Sequence, residues 1–415
     1  MIRSMFTAIS SLNLQQKYLD VVSNNLANAN TSGFKASRVL SQDQFSQMMS
    51  PGSAPTATQG GVNPTQVGLG VNLGYISPNF TQGVLQGTGR NMDLGIQGDG
   101  FFIYGTDNRR YSREGSMSLD SEGNLVNSAT GMRTQGWMAD PTTGLIDTDL
   151  PVDDINIVTD KTLAKATTEV TLGGNLSAST AAAGTNTISM GVYDSLGSLR
   201  TASITFTRQG AGAPPVATNV WDWSISSTPA GASGSGTVTF DANGQVTGST
   251  IGAAITIPGS AGSTSPISPL TIDFTKLTQL VAANSATVTT QDGLRAGNVT
   301  DVYISPNDGV ISLMYSNGMS EQVGQVALAR FSNPGGLIKG NDTSFLAGLN
   351  SGEPQIGTAS TGGRGSIAAS HLEASNVDMA QEFTNMILAQ RGFQASSRVI
   401  TTSDEILQEL VNLKR

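Results

Sequence analysis

The chain predicts a mainly β fold with α-helical termini: a nested, multi-domain arrangement of two antiparallel β domains plus a coiled-coil domain formed by both terminal helices. Three observations predict it. First, Met379, Phe383, Met386, Gln390, Phe393, Ser397, Ile400, Asp404, Leu407 and Val411 follow one another at steps of four and three, a heptad seam with polar interruptions. Second, Met5, Ile9, Leu12, Gln16, Leu19, Ser23 and Leu26 repeat that spacing at the other end. Third, nearly everything between is rich in Gly, Ser, Thr and Asn and reads as strand and turn.

Taken in order, the first helix is predicted over 2–27, stopped by the turn formers Asn28, Asn30, Thr31 and Ser32, with Gly33 as its cap. Residues 49–70 carry Pro51, Pro55 and Pro64 among Gly, Ser, Thr and Gln, so they read as an extended linker or long hairpin. Strand signals follow at Val71 to Tyr75, Leu94 to Ile96, Phe101 to Tyr104 and Met117 to Leu119, before the turn Asp120 to Asn124. From Thr142 to Ala286 aromatic density falls and Ala, Gly, Ser and Thr rise, around strand candidates 188–193, 204–206 and 221–225. That stretch reads as an inserted β domain. Strands return at 299–304, 310–315 and 325–331, the second ending in the hairpin turn Ser316, Asn317, Gly318. Residues 348–365 are a second polar stretch, and Ser375 with Asp378 form an S-x-x-D capping box for the last helix. The expected organisation is therefore a helical core domain from 1–30 and 375–415, a linker or extended hairpin region at 31–70 and 361–374, a middle β domain from 71–141 and 287–360, and an outer β domain at 142–286.

Composition excludes several functions. Charged residues are 13% of the 415, and the net charge of -9 carries no basic stripe, so nucleic acid is not an expected partner. Without cysteine there is no disulfide, thiolate metal site or cysteine nucleophile. No run of about 18 apolar residues marks a membrane span. Ser4, Thr7, Ser10, Ser11 and Asn13 interrupt the apolar run that a cleaved Sec signal needs.

Sites for chemistry are similarly sparse. Gly95, Gly98 and Gly100 precede a strand rather than the helix a phosphate cradle requires, so they read as a turn. Asp120 to Asn124, Asp241 to Gly244 and Asn307 to Gly309 read as hairpin turns rather than calcium loops. His371 is the lone histidine, which excludes a His pair for a metal, and just before a helix cap it reads as a structural or solvated side chain. Asp153 and Asp154 alternate faces of a strand and do not make an acid/base pair. Trp137, Trp221 and Trp223 read as packing residues. No catalytic residue, cofactor or metal is expected, and the chain is not expected to be an enzyme.

The terminal stripes differ in kind, because isolated helices of this length are marginal in water without a packed face. They can pack on each other or on the β body within one chain, or order by association between chains. The polar linkers favour association, so the expected self-assembly seam is Met5, Ile9, Leu12, Leu19, Leu26, Met379, Phe383, Met386, Phe393, Ile400, Leu407 and Val411, with Gln390 and Asp404 penalising wrong registers.

Asn24 to Lys35, Gly98 to Phe102, Leu372 to Asp378 and the helix through Gln390 and Arg391 together resemble the axial proteins of the bacterial flagellum, the rod and hook family. Val192 to Gly197 is similar to the hook branch within an otherwise looser middle. Rod members are expected to be much shorter for want of such an insertion, which favours hook. The resemblance implies a curved, flexible helical tube with the terminal helices inside, a β domain around them and the insertion outermost, acting as a universal joint between rod and filament. It also implies rod, hook-cap, hook-length-control and hook-filament-junction partners, and export by the flagellar type III apparatus to an extracellular location. A distal rod subunit and a secreted β-rich adhesin or enzyme are the alternative readings.

Overall fold

A computed structural model of the chain describes residues 2–210, 219–228, 231–259, 267 and 269–412; the end of the expected 375–415 segment lies outside them. It is mainly β, with an N-terminal helix α1 (Ile2–Ala27) and a C-terminal helix α2 (Met379–Asn412). Two compact units divide it. Unit 1 comprises Met1–Val158, Val302–Ser312 and Gln322–Arg415, and unit 2 comprises Thr159–Asp301 and Leu313–Glu321.

In unit 1 the proline-bearing segment is a long hairpin. Ser37–Asp43 pairs antiparallel with Val71–Pro78, and Ser46–Ser50 continues the ladder with Thr65–Gly68. The β body is built on a six-stranded sheet in the order Ile338–Lys339, Ser344–Leu346, Arg110–Ser112, Phe101–Tyr104, Leu328–Arg330, Gln355–Gly357. Aromatic edges fill its core: Phe80 meets Phe101 at 5.5 Å between centroids, and Tyr111 meets Phe331 at 4.8 Å.

The second expected linker differs from the sequence reading. Ser366–Ala369 pairs with Leu94–Gln97, and His371–Glu373 pairs with Leu85–Gly87, so most of 361–374 is sheet. Composition hides this because these strands are short and gain their pairing from partners some 280 residues away. The expected outer boundary also shifts. Residues 142–158 lie in unit 1, where Val152, Ile155 and Ile157 are buried and Trp137 Nε1 donates to Leu150 O at 2.7 Å. Residues 287–301 lie in unit 2, where Thr287–Gln291 adds to a sheet.

Unit 2 packs two sheets face to face. One is an antiparallel meander of Thr185–Tyr193, Leu199–Arg208, Val220–Thr228, Ser233–Phe240 and Val246–Thr256. Alternate residues of these strands, among them Ile188, Met190, Ile204, Phe206, Trp221 and Trp223, bury against Val170, Leu172, Phe274 and Leu277 of the other sheet. That second sheet is mixed, which corrects the antiparallel expectation. Glu169–Asn175 pairs antiparallel with Thr287–Gln291 but parallel with Thr271–Thr278. The meander inserted between the two parallel strands supplies the long crossover that parallel pairing requires.

The turns are as the short polar motifs predict. Asp120 Oδ1 accepts from Glu122 and Asn124 N at 2.8 Å, and Asp241 Oδ1 accepts from Asn243 N at 2.8 Å and Gln245 N at 2.7 Å. The carboxylates are consumed in closing their own turns. Gly98 and Gly100 adopt φ of 106° and 140° between two strands. Asp154 sits on an edge strand and pairs with Arg133 at 3.0 Å.

One carboxylate ties unit 2 to pH. Burial pushes the Asp292 carboxyl up, but hydrogen bonds from the Thr168 hydroxyl, the Glu169 and Thr168 N–H groups and the Lys165 ammonium outweigh it, leaving it well below the usual carboxylate range. A depressed folded value means the stabilisation is present above the unfolded pKa of about 3.9 and is lost as pH falls through the folded value. Denaturant midpoints of Asp292→Asn should therefore fall less between neutral pH and pH 3 than those of the parent chain; parallel curves would remove Asp292 from the acid response.

Candidate functional site

The two helices pack on each other antiparallel within the chain. Ser11 Oγ lies 2.9 Å from Ser396 Oγ, Gln15 lies over Gly392, and Asn25 Nδ2 donates to Glu382 Oε1 at 3.3 Å. The inward residues are Ala8, Ser11, Gln15, Tyr18, Val22 and Asn25 on α1, with Glu382, Ala389, Gly392, Ser396 and Ser403 on α2. Each precedes an expected seam position by one residue. One step turns a helix by about 100°, so the intrachain seam is the small and polar stripe adjoining the apolar one. Small residues here let the backbones approach, and they bury little apolar area.

The apolar stripe is consequently covered only in part. Met379 and Phe383 are each 48% exposed, Phe393 is 41% and Val411 is 70%. Ile9 is exposed, while Met5, Leu12, Leu19, Leu26, Met386, Ile400 and Leu407 are partly buried. Gln390 is exposed, and Asp404 accepts from Gln408 Nε2 at 3.1 Å. Association within one chain, which the sequence leaves open, is therefore realised through a different face from the one the heptads mark. Phe6, Ile387, Leu388, Val399 and Ile406 add to the outward apolar surface.

At the base of the helix pair the polar linkers do not hold the helices apart from the β body. Glu373 is 1% exposed and carries its carboxylate between two buried cations. Oε1 accepts from Lys35 Nζ and from Gly83 N at 2.7 Å each, and Oε2 accepts from Arg113 at 3.3 Å. Lys35 also donates to Thr81 O at 2.8 Å, and Arg113 lies 5.4 Å from the Phe101 centroid. Burial lowers the pKa of Lys35 and of Arg113, with Glu373 opposing that shift in both. The cluster clamps the exit of α1, the entry of α2 and the β body together.

Amide side chains extend the clamp. Asn25 Nδ2 donates to Ser37 O at 2.8 Å and its Oδ1 accepts from Ser37 N at 2.9 Å. Asn376 Oδ1 accepts from Ala36 N at 2.8 Å, and its Nδ2 donates to Asn79 O at 2.8 Å. The start of α2 differs from the capping-box expectation: Asp378 is itself the cap, accepting from Ala380 N at 2.9 Å and Gln381 N at 3.1 Å. Ser375 instead closes a turn to Val377.

Gly33 also has a different role from a helix cap. It lies beyond the turn that ends α1, at φ 69°, where an added Cβ would stand 2.6 Å from Glu114 N. Gly33→Ala should cost about 1–3 kcal/mol through left-handed backbone and close backbone approach. A thermal melt indistinguishable from the parent would contradict this.

His371 Nδ1 lies 2.7 Å from Ala369 O. Among the described residues no group of three or more His, Asp or Glu is placed to hold a metal, and no helix is long and apolar enough to cross a membrane.

Known proteins give this geometry its context. Residues 5–35 match the family described as flagella basal body rod protein, 95–177 the flagellar hook protein FlgE/F/G D1 domain, 156–294 the flagellar basal body protein FlaE D2 domain, and 368–413 the flagellar basal body rod FlgEFG protein C-terminal family. Over 448 residues the chain is 38% identical to the flagellar hook protein FlgE of Borreliella burgdorferi, covering all of both. The chain belongs to the flagellar hook protein FlgE family. FlgE of Escherichia coli is 34% identical, over 98% of this chain and 99% of that one. The flagellar basal-body rod protein FlgG of Bacillus subtilis is 29% identical over the full length of both. A solved flagellar hook protein FlgE2 from Helicobacter pylori aligns with a TM-score of 0.46 and 14% identity, over 69% of this chain and all of that one. As a FlgE-family member the chain is a structural subunit of the bacterial flagellar hook, and the family is not an enzyme family.

The sequence reading missed Arg113 as a functional residue and gave Lys35 and Glu373 no role of their own. In a chain with 13% charged residues, a Lys and a Glu each flanking a helix terminus are the available signal. Their mutual contact is not encoded locally.

Proposed function

We propose that the chain polymerises into a curved, flexible tube that transmits torque from rod to filament as a universal joint, with its terminal helices as an inner coiled-coil layer. The observation that carries this is the outward stripe of Met379, Phe383, Phe393 and Val411, left exposed by a helix pair that closes through small residues. Burying each such side chain is worth about 1.5–3 kcal/mol, more than the intrachain seam supplies per residue. Contacts between two different faces of identical subunits generate open helical assemblies when the rotation between copies does not close a ring.

The clamp around Glu373 fixes where the helix pair leaves the β body. Torque applied to the helices is thereby passed to the β body of unit 1. Unit 2, with a low charge density, forms the outer surface, where weak contacts slide as the tube bends. Rod, hook-cap, hook-length-control and hook-filament-junction proteins are the proposed neighbours. The proposed route is type III export to the cell exterior without a cleaved signal.

Removing residues 1–30 and 375–415 tests the reading. Electron microscopy should find no tubes from the truncated chain under conditions where the full chain forms them. Tubes of normal diameter from the truncated protein would sink it.

A further inference from the structure

Among the described residues the intrachain register leaves part of α2 without a helical partner. With Ser11 opposite Ser396, Gln15 opposite Gly392 and Asn25 opposite Glu382, the same register sets Ile2 opposite Glu405. Residues 406–412 of α2 therefore run on for about two turns past the start of α1. Ile406 and Val411 are exposed on this overhang and Leu407 is half-buried.

A groove of about 410 Å³ lies elsewhere on unit 1, between α1 and the base of the long hairpin. Arg3, Phe6, Ile9, Phe45 and Leu69 line it. Phe45 is 81% exposed and Phe6 66%, so the groove is open and carries an apolar patch beside the polar Thr7, Ser10, Asn13 and Gln44.

The charges of the two surfaces are complementary. Residues 399–412 hold Asp404, Glu405 and Glu409 and no cation, whereas residues 2–19 hold Arg3 and Lys17 and no carboxylate. Each set is also of the wrong sign for its own helix. The first turn of α1 has no acidic residue and the last turn of α2 no basic one, so Arg3 sits at a positive helix end and Glu409 at a negative one. Among the described residues Arg3, Glu405 and Glu409 form no ion pair within the chain.

We propose that the α2 overhang of one copy, with Ile406 and Val411, seats in the α1–hairpin groove of a second copy, with Arg3 meeting Glu409. The inference rests on the polymer reading above and deepens it by naming the two surfaces. Docking buries apolar side chains on both sides and gives each misplaced charge an opposite partner. Because overhang and groove are different surfaces, the contact repeats head to tail, which builds a helical filament where the rotation between copies does not close a ring.

The absence of cysteine from the chain makes the test direct. Phe45→Cys and Ile406→Cys chains are assembled separately and as an equal mixture, then oxidised. The mixture should yield disulfide-linked dimers that join one of each variant, and neither variant alone should yield them. Polymers that form yet stay uncrosslinked in the mixture, or link only like variants, overturn the docking and leave the polymer reading intact. A parent chain that forms no tubes overturns the polymer reading itself.

Charge exchange supplies a second readout if a cysteine variant does not assemble. Arg3→Glu and Glu409→Lys should each raise the critical concentration for assembly several-fold, and the chain carrying both should return towards the parent value. A double variant no better than the worse single one rules out the contact.

Discussion

Replacing Glu373 by alanine is expected to destabilise unit 1 by about 3–5 kcal/mol, because it strands two buried cations with no compensating charge. Lys35 and Arg113 are each 2% exposed, so water cannot take the place of the lost carboxylate. Gly83 N loses its acceptor as well. The effect should be read as a lower denaturant midpoint for unit 1, with unit 2 unchanged. A loss under about 1 kcal/mol would mean that the cluster behaves as a surface pair. Replacing Lys35, Arg113 and Glu373 together by apolar residues of similar volume should recover most of the loss, since a buried ion cluster exchanged for packed hydrocarbon is often neutral. That recovery separates stranded charge from general damage to the junction.

Replacing Met379, Phe383 and Phe393 by serine is expected to abolish polymerisation and leave a folded subunit. These side chains are 41–48% exposed in the single chain, so their loss costs little intrachain packing. Each is worth about 1.5–3 kcal/mol if fully buried between copies. Even half of the combined value, near 3 kcal/mol, raises a critical concentration by more than a hundredfold. Sedimentation of the assembled protein measures this, and circular dichroism checks that the helices remain. Normal tubes from the triple variant would show that the stripe does not mediate association.

Much of the fold is legible in the sequence because its signals are local. The limits of α1 follow from a heptad run ended by Asn28 to Ser32. The hairpin turns follow from Asp120, Asp241 and Asn317, whose side chains or following glycines close turns whatever surrounds them. Alternation in Thr185–Tyr193 and Val220–Thr228 is likewise readable, since a strand with one buried face needs period two.

The candidate site is less legible, for a physical reason visible in particular residues. Heptad spacing identifies a helix face that needs burial without naming what buries it. Phe383 and Phe393 mark that face, yet the chain uses the adjoining Ala389, Gly392 and Ser396 for its own helix pair. Small residues carry a weak hydrophobic signal even where they set the closest approach. Glu373 looks like a polar linker residue beside Ala374 and Ser375, but its environment is made by Lys35, Gly83 and Arg113, all more than 250 positions away.

The sequence by itself determined the helical ends, the β interior, the absence of cysteine chemistry and the family. Propensity, period and capping act over a few residues, and family motifs are strings. Tertiary structure alone decided which stripe of each helix turns inward, that the 361–374 segment joins sheets, and that one carboxylate holds two cations at the crossing of the termini. Those outcomes depend on long-range register and desolvation, where groups hundreds of residues apart exchange water for each other.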